Sequence, residues 1–365
     1  MADYAPGIHD LACAIHVHST HSDGTGTVGE IARAAEEAGV DVVLLTDHDS
    51  LGAKRCGEED WHGGVLVLVG EEVSPPDRNH YLAFGVDEHI DHRGLTPAQV
   101  VEAVRERGGF GFAAHPFSEG SSRFRRLSNS MLWEDLGALD GIEVWSFLSD
   151  NGQRVAGVWE ALTFVARPER YVTRAPEHNL AEWDRLGASR RVVGIGGLDA
   201  HQFGRRIGGR VVRLMSYSRS FAQLHTRVLV TEQLTGEVEH DRDQVYEALR
   251  AGRCYIAAPQ VAAPAGFGFF AERPDGARLE MGGEAPVGSW TLHARLPRPA
   301  DVRLLCDGDE VARLQAPALA HVAEGPGVYR VEATLETHGA ERTWILSNPI
   351  YLRSRAERSS VAHGR

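Results

Sequence analysis

The residues best suited to chemistry in this chain form a short run near its start, His16-Val17-His18-Ser19-Thr20-His21-Ser22-Asp23-Gly24. His16 and His18 are one residue apart at the end of an apolar run, so a strand there directs both imidazoles to the same side. Asp23 adds a carboxylate on a glycine-containing turn. Nitrogen and oxygen ligands on a short, rigid segment are what a divalent metal ion requires. The pattern therefore predicts a metal site just beyond a strand.

The same residue types recur where other predicted strands begin or end. Strands predicted over 40–46, 65–69, 110–114 and 192–197 are each followed by histidine or carboxylate residues, and His80 begins a further extended segment. The candidate ligands are His16, His18, Asp23, His48, Glu72, His80, His115, Asp199 and His201. These donors are too many for one metal ion, and they suit two or three divalent ions that share a bridging carboxylate.

The elements that must position these ligands alternate between strand and helix. Thr27-Val28-Gly29-Glu30 has capping-box spacing and opens a helix that Gly39 ends. Thr96 to Gln99 starts another helix, with Pro97 in its first turn. Strand–helix alternation with polar residues at the strand ends is typical of a parallel β/α barrel, in which the chemistry lies at the carboxyl ends of the strands.

The pattern changes in the last third of the chain. Short alternating segments at 290–294, 302–306, 328–333 and 343–346 are separated by turns rich in Gly and Pro. This arrangement predicts an antiparallel β-sandwich. We therefore expect a barrel domain over residues 1–258, a β-sandwich domain over 259–352 and a flexible tail over 353–365.

Composition narrows the classes of function. The four cysteines lie far apart and form no CxxC pair, which argues against a disulfide framework or a thiolate zinc site. A net charge of −13 argues against a nucleic-acid polymer as partner but permits a small anionic substrate, because metal ions bring their own positive charge. The absence of a long apolar run predicts no membrane span, and a start without signal-peptide character predicts a cytoplasmic protein.

Taken in order, the motifs resemble those of the PHP (polymerase and histidinol phosphatase) metallohydrolases. The matching segments are His16-Val17-His18 with Ser22-Asp23-Gly24, Thr46-Asp47-His48-Asp49, Gly70-Glu71-Glu72-Val73-Ser74 followed by His80, Ala114-His115-Pro116, and Gly196-Gly197-Leu198-Asp199-Ala200-His201. The resemblance covers residues 9–255. It implies an α/β fold, a distorted (β/α)7 barrel of PHP type, here followed by the small C-terminal antiparallel β-sandwich domain.

The resemblance also implies which residues hold each ion. His16, His18, Glu72 and Asp199 would hold the first, Glu72, His80 and His115 the second, and Asp23, His48 and His201 the third. Glu72 would bridge the first two ions, and its neighbour Glu71 is the alternative bridge. The expected cofactors are two or three divalent ions of zinc, manganese or iron, because the ligand atoms are nitrogen and oxygen only.

The function implied is a metal-dependent phosphoesterase that hydrolyses a small phosphate mono- or diester. A hydroxide bridging the di- or trinuclear centre would be the nucleophile, so no protein side chain is needed in that role. Arginines that follow two of the motifs are candidates for binding the substrate phosphate, with a solvated loop position as the alternative for each. They are Arg123, Arg125, Arg126, Arg205 and Arg206.

Other functions fit the sequence less well. A carbamate or carboxyl-ester hydrolase could use the same scaffold, because the same nucleophile attacks a carbonyl. Amidohydrolase barrels also begin with HxH but need a carbamylated lysine, and the only lysine, Lys54, lies in a polar stretch after a turn. A non-catalytic binding protein would be expected to lack ligands, and none is missing. Glu143, on a strand near the site, suits a structural hydrogen bond or a catalytic role. The oligomeric state stays open.

Overall fold

The computed structural model describes residues 7–76, 79–118, 139–153, 155, 157–171, 173–202, 204–207, 210–213, 215–337 and 339–354, with backbone alone over 204–207 and 210–213. The strands are β1 (His9–Val17), β2 (Val42–His48), β3 (Asp60–His62), β4 (Val65–Val73), β5 (Tyr81–Phe84), β6 (Phe110–Ala113), β7 (Gly141–Ser146), β8 (Val193–Gly197), β9 (Gly204–Ile207), β10 (Arg210–Arg213), β11 (His225–Val230), β12 (Cys254–Ala257), β13 (Gly268–Glu272), β14 (Arg278–Glu280), β15 (Glu284–Pro286), β16 (Thr291–Cys306), β17 (Asp309–Val322), β18 (Gly327–Thr337), β19 (Ala340–Ser347) and β20 (Ile350–Arg353).

The helices lie between these strands along the chain. They are α1 (Val28–Glu37), α2 (Gly52–Arg55), α3 (Pro97–Glu106), α4 (Phe147–Gly152), α5 (Val158–Ala166), α6 (Glu177–Ser189), α7 (Tyr217–Phe221) and α8 (Val238–Ala251), with a 3-10 turn at Pro168–Arg170. In the part of the chain that the structure describes, no helix has both the length and the apolar character needed to cross a membrane.

The two helix starts predicted from capping residues are confirmed. The Thr27 side chain accepts a hydrogen bond from the Glu30 backbone amide, and the Glu30 side chain accepts one from the Thr27 amide. The same reciprocal pair joins Thr96 and Gln99 at the start of α3. Both helices bury one apolar face, which fixes them against the sheet.

The strands that carry the candidate ligands belong to one mixed sheet. β1, β2 and β4 pair in parallel, as do β6, β7 and β8. β5 lies between β4 and β6 and runs antiparallel to both. The expectation of a wholly parallel sheet is therefore wrong at this strand. The short connection from β4 to β5 leaves no room for the crossover helix that a parallel pair requires, so β5 must reverse direction.

Hydrogen bonds beyond the end of β8 bring that strand back to β1. The backbone amide of Leu198 donates to the Ile15 carbonyl at 3.0 Å, and the amide of Ala200 donates to the His16 carbonyl at 3.1 Å. The His18 amide donates in turn to the Ala200 carbonyl at 2.9 Å. The segment that carries Asp199 is thereby held beside the HxH segment.

Backbone pairing joins the C-terminal strands to the sheet that carries the candidate ligands. β12 pairs antiparallel with both β11 and β19. β16, β17, β18 and β19 pair antiparallel, in agreement with the alternation in their sequence, whereas β15 and β20 pair in parallel. Arg353, placed in the flexible tail from the sequence, ends β20, and residues 355–365 lie outside the described part.

Candidate metal centre

The HxH segment is shaped by an irregularity at the end of β1. The register between β1 and β2 shifts between Ile15 and Val17, and His16 has a φ of 67°. A non-glycine residue in this region costs about 1–3 kcal/mol, and such residues cluster at functional sites. The side chains of His16 and His18 are completely buried. The bulge therefore turns two histidines inward where a regular strand would continue.

Glu72 lies at the centre of the candidate site. Its Oε2 is 3.2 Å from His16 Nε2, 3.3 Å from His18 Nε2 and 3.1 Å from His48 Nδ1. Its Oε1 is 2.7 Å from His80 Nδ1 and 3.4 Å from His115 Nε2. The carboxylate is buried, and its two oxygens face two different groups of histidines. This is the arrangement that a bridging carboxylate requires.

Asp199 and His201 complete the inner part of the cluster. Asp199 Oδ1 is 3.6 Å from His16 Nε2 and 3.5 Å from His18 Nε2. It is also 3.5 Å from His201 Nδ1, and the Ser149 hydroxyl donates to the other Asp199 oxygen at 3.1 Å. The hydrogen bonds between the β8 end and β1 produce this proximity.

Asp23 lies on the more open side of the cluster. Its Oδ1 is 3.1 Å from His201 Nε2, 3.8 Å from His48 Nε2 and 3.9 Å from His18 Nδ1. The Asp23 side chain is 60% exposed and that of His48 is 30% exposed. All nine donors predicted from the sequence therefore come together, and the cluster meets solvent at Asp23 and His48.

Glu71, the alternative bridge, faces away from the histidine cluster. Its carboxylate accepts a hydrogen bond from the Ile90 backbone amide at 2.7 Å and lies 2.8 Å from His89 Nδ1. Burial raises the pKa of the Glu71 carboxyl despite these two contacts. Of the two adjacent glutamates, only Glu72 contacts the candidate ligands.

The histidines and carboxylates of the cluster shift one another's pKa values. Burial lowers the pKa of His18, but the neighbouring carboxylates of Asp199 and Glu72 outweigh it and raise that pKa to about 9. Burial would raise the pKa of Asp23, but the contact with His201 outweighs it and lowers that pKa to about 2. Contacts between protonated imidazoles and carboxylates therefore stabilise the cluster.

The donor chemistry fits divalent metal ions. Nδ1 of His18 and Nδ1 of His115 are both buried without a hydrogen bond to any described group. Buried polar atoms of this kind are rare in proteins, and an ion that accepts their lone pairs accounts for them. Three sets of candidate ligand atoms lie close enough to share an ion: His18, Asp23, His48 and His201; His16, His18 and Glu72; and His48, Glu72 and His80.

The loop between His18 and Asp23 is held by a carboxylate that sequence reasoning did not single out. Asp47 accepts hydrogen bonds from the Ser19 amide at 2.8 Å, the Ser19 hydroxyl at 2.7 Å and the Ser22 hydroxyl at 2.6 Å. The Tyr217 hydroxyl donates to the His18 carbonyl at 2.7 Å. Asp47 stands next to His48 in a recognised motif, whereas Tyr217 has no local sequence signal.

The candidate substrate arginines fall where the structure gives no side chains. Arg123, Arg125 and Arg126 lie outside the described residues. Arg205 and Arg206 belong to β9, which pairs antiparallel with β10, and only their backbone is described. Their role in binding a phosphate stays a prediction.

Comparison with known proteins gives two curated relatives, and no protein-family model matches the chain. An uncharacterised protein of Methanocaldococcus jannaschii is 26% identical over 150 residues, which cover 38% of this chain and 83% of that protein. The phosphoribosyl 1,2-cyclic phosphate 1,2-diphosphodiesterase of Eggerthella lenta is 37% identical over 83 residues. That match covers 20% of this chain and 30% of the diphosphodiesterase.

Among the solved structures that are similar to this chain, two carry phosphoesterase descriptions. One is a two-domain protein from Bacteroides vulgatus, described as containing a predicted PHP-like metal-dependent phosphoesterase. It has 15% identity and a TM-score of 0.47, with 94% of this chain and 96% of that chain covered. The other, from Bifidobacterium adolescentis, carries the provisional description of a metal-dependent phosphoesterase. It has 21% identity and a TM-score of 0.36, with 57% and 94% covered.

Proposed function

We propose that this chain, which is similar to PHP-like metal-dependent phosphoesterases, is itself a metal-dependent hydrolase that cleaves a small phosphate mono- or diester. The observation that carries the proposal is the buried Glu72 carboxylate, whose two oxygens contact five histidine side chains. A carboxylate shared among so many imidazoles suits a centre with more than one divalent ion. The name of the Eggerthella lenta relative, a cyclic phosphate diphosphodiesterase, supports a phosphate ester as substrate.

The proposed centre holds two or three ions of zinc, manganese or iron. In this assignment His16, His18, Glu72 and Asp199 bind the first, Glu72, His80 and His115 the second, and Asp23, His48 and His201 the third. His48 and His18 each belong to two of the close sets of ligand atoms, which supports a shared centre over three separate sites.

Divalent ions bound there would supply Lewis acidity toward phosphoryl oxygens and a water of lowered pKa as nucleophile. The side chains perform the remaining tasks. Glu72 and Asp199 provide negative charge in a buried setting, and the imidazoles become neutral ligands by releasing their protons. Because Asp23 and His48 are the most exposed members, we place substrate entry on their side.

The fold would support this site as a distorted (β/α)7 barrel. The seven strands β1, β2, β4, β5, β6, β7 and β8 pair in succession, and the β8 end returns to β1. We propose that residues 1–258 form this barrel domain and that residues 259–352 form a β-sandwich domain attached through the β12–β19 pairing.

The test combines metal analysis with three chromogenic substrates. Purified protein, loaded in turn with zinc, manganese and iron, is assayed with p-nitrophenyl phosphate, bis(p-nitrophenyl) phosphate and p-nitrophenyl acetate. We expect two or three ions per chain and turnover of a phosphate ester. Turnover of the carboxyl ester alone would replace the proposal with a carbonyl hydrolase. Failure to bind any ion after loading would overturn the metal centre itself.

A further inference from the structure

We propose that Glu143 is a positioning residue that fixes two metal ligands with one carboxylate, His16 through its ring and His115 through its backbone amide. The inference rests on the proposed metal centre and adds to it a residue that binds no ion. Glu143 lies on β7 and is completely buried. It therefore reaches the cluster from a strand that supplies none of the nine candidate ligands.

The contact with His16 selects the nitrogen that faces the ions. Glu143 Oε1 and Oε2 lie 3.3 and 3.4 Å from His16 Nδ1, on the side of the ring away from the cluster. His16 Nε2 faces Glu72 and Asp199. When Nδ1–H donates to Glu143, Nε2 carries the lone pair that a metal ion needs, and the ring orientation is fixed at the same time.

The second contact acts on the backbone of another ligand. The His115 amide, two residues beyond the end of β6, donates to Glu143 Oε2 at 2.6 Å. His115 has a φ of 31°, in a region that non-glycine residues rarely adopt. His16 also has a positive φ. One carboxylate thus contacts both of these unusual ligand positions and helps to maintain the backbone at the second.

The surrounding chain leaves a dedicated space for this carboxylate. A Cβ placed on Gly197 of β8 would overlap Glu143 Oε1, so the glycine lets the carboxylate lie against the β8 backbone. His16 of β1, His115 after β6 and Gly197 of β8 therefore each contribute a group that touches Glu143 or makes room for it. Both Glu143 oxygens contact His16 Nδ1 or the His115 amide, on the side of the His16 ring away from Nε2. Glu143 therefore orients two metal ligands and is not itself a metal ligand.

Glutamine at position 143 tests the idea because it keeps the size and removes one acceptor. A carboxylate accepts from both His16 Nδ1 and the His115 amide, whereas a glutamine side chain has one acceptor oxygen and one donor nitrogen. Glu143→Gln therefore removes the negative charge that attracts the His16 ring proton and replaces one of the two acceptor oxygens with a donor nitrogen. Loss of an outer partner of this kind typically weakens metal affinity by about 10- to 100-fold.

Glu71→Gln is the matched control. Glu71 is also a buried strand glutamate that accepts from a backbone amide and contacts a histidine ring, but it faces away from the cluster. Competition with a chromogenic chelator measures the affinity for Zn²⁺ in each variant. The visible absorption of the Co²⁺-loaded protein reports ligand geometry directly. We expect weaker binding and a shifted Co²⁺ spectrum for Glu143→Gln, and wild-type behaviour for Glu71→Gln.

Two results would overturn the inference while leaving the proposed function intact: wild-type affinity and spectrum in Glu143→Gln, or equal changes in both variants. If wild-type protein binds no metal ion, the proposed function fails first. Should Glu143→Gln not fold, nitrogen NMR of the zinc-loaded wild type provides the same test. A proton on His16 Nδ1 supports the role of Glu143, and a proton on Nε2 refutes it.

Discussion

Glu71 and Glu72 are consecutive in β4, and their carboxylates face opposite sides of the strand. Glu72 contacts five histidines of the candidate centre, whereas Glu71 contacts His89 and the Ile90 amide. Successive side chains of a strand alternate in direction, which produces this separation. Glu71 and Glu72 are both buried glutamates, but only Glu72 contacts the candidate ligands. A substitution at one position is therefore a control for the same substitution at the other.

The first prediction uses this pair to identify the bridging residue. Glu72→Gln should lower metal affinity and phosphoesterase turnover by more than about 100-fold, because changes in the outer partners alone cost about 10- to 100-fold. Glu71→Gln should retain both at about the wild-type level, because the Glu71 carboxylate contacts His89 and the Ile90 amide and no candidate ligand. Metal content by mass spectrometry and kcat on bis(p-nitrophenyl) phosphate provide the measurement. Loss of metal in Glu71→Gln with retention in Glu72→Gln would reverse the assignment.

The second prediction concerns the pH dependence of metal binding. Without metal, His18 has its pKa raised to about 9, because contacts with Asp199 and Glu72 outweigh the effect of burial. A protonated imidazole cannot bind a metal ion, so binding at pH 7 must displace a proton. Affinity should therefore rise with pH by up to about tenfold per unit between pH 7 and 9 and then level off. Calorimetry in buffers of different ionisation enthalpy measures the protons released, and pH-independent affinity would contradict the prediction.

The third prediction concerns acid stability away from the metal centre. Burial lowers the pKa of His225 to about 4, with the charge of Arg227 acting in the same direction. Its Nε2 donates to the Phe221 carbonyl at 2.6 Å, and its Nδ1 is buried without a partner among the described residues. The folded state therefore favours neutral His225, whereas the unfolded state takes up a proton below its pKa of about 6.5. The stability that depends on neutral His225 is complete above pH 6.5 and decreases as pH falls toward 4.

Between pH 6.5 and pH 4, protonation linked to His225 should lower the free energy of unfolding by roughly 3 kcal/mol. Urea unfolding of the wild type and of His225→Gln at several pH values measures it. Glutamine retains a donor for Phe221 and does not titrate. The difference between the two proteins should change between pH 6.5 and 4 and stay constant above that window. A constant difference over the whole range would show that His225 is readily protonated in the folded state.

Much of the candidate site could be predicted from the sequence because its ligands follow strands. A histidine or carboxylate after a buried apolar run lies at the same sheet edge as others of its kind, and this places His48 and His115 together although they are distant in sequence. The helix starts at Thr27 and Thr96 could also be predicted, because a capping box is an interaction between residues only three positions apart. Short sequence patterns were therefore sufficient to predict the ligands that follow strands and the two helix starts.

Other features depend on contacts that no local pattern encodes. The Tyr217 hydroxyl reaches the His18 carbonyl from a part of the chain far away in sequence. The antiparallel direction of β5 follows from the length of a connection, and the pairing of β12 with β19 joins two segments that each look like ordinary strands. The choice between Glu71 and Glu72 required the side-chain direction along β4, which a shift of one residue reverses.

The fourth prediction tests how the C-terminal strands are attached to the helices. Arg330 on β18 donates from Nε to Asp184 Oδ1 at 2.6 Å and from Nη2 to Asp184 Oδ2 at 2.7 Å, and both side chains are buried. Asp184 belongs to α6. Arg330→Met leaves the Asp184 carboxylate buried without this partner, which should cost about 3–5 kcal/mol of unfolding free energy.

Arg185→Met is the control for that variant. Arg185 is the next residue in α6 and pairs with Glu182 at 2.8 Å, but its side chain is 64% exposed. An exposed pair of this kind contributes about 0–1 kcal/mol, because water and mobile ions screen the charges. Urea denaturation of both variants therefore separates a buried connection between β18 and α6 from a general effect of removing an arginine. Equal, small losses would mean that apolar packing, and not the Arg330–Asp184 pair, holds these strands against α6.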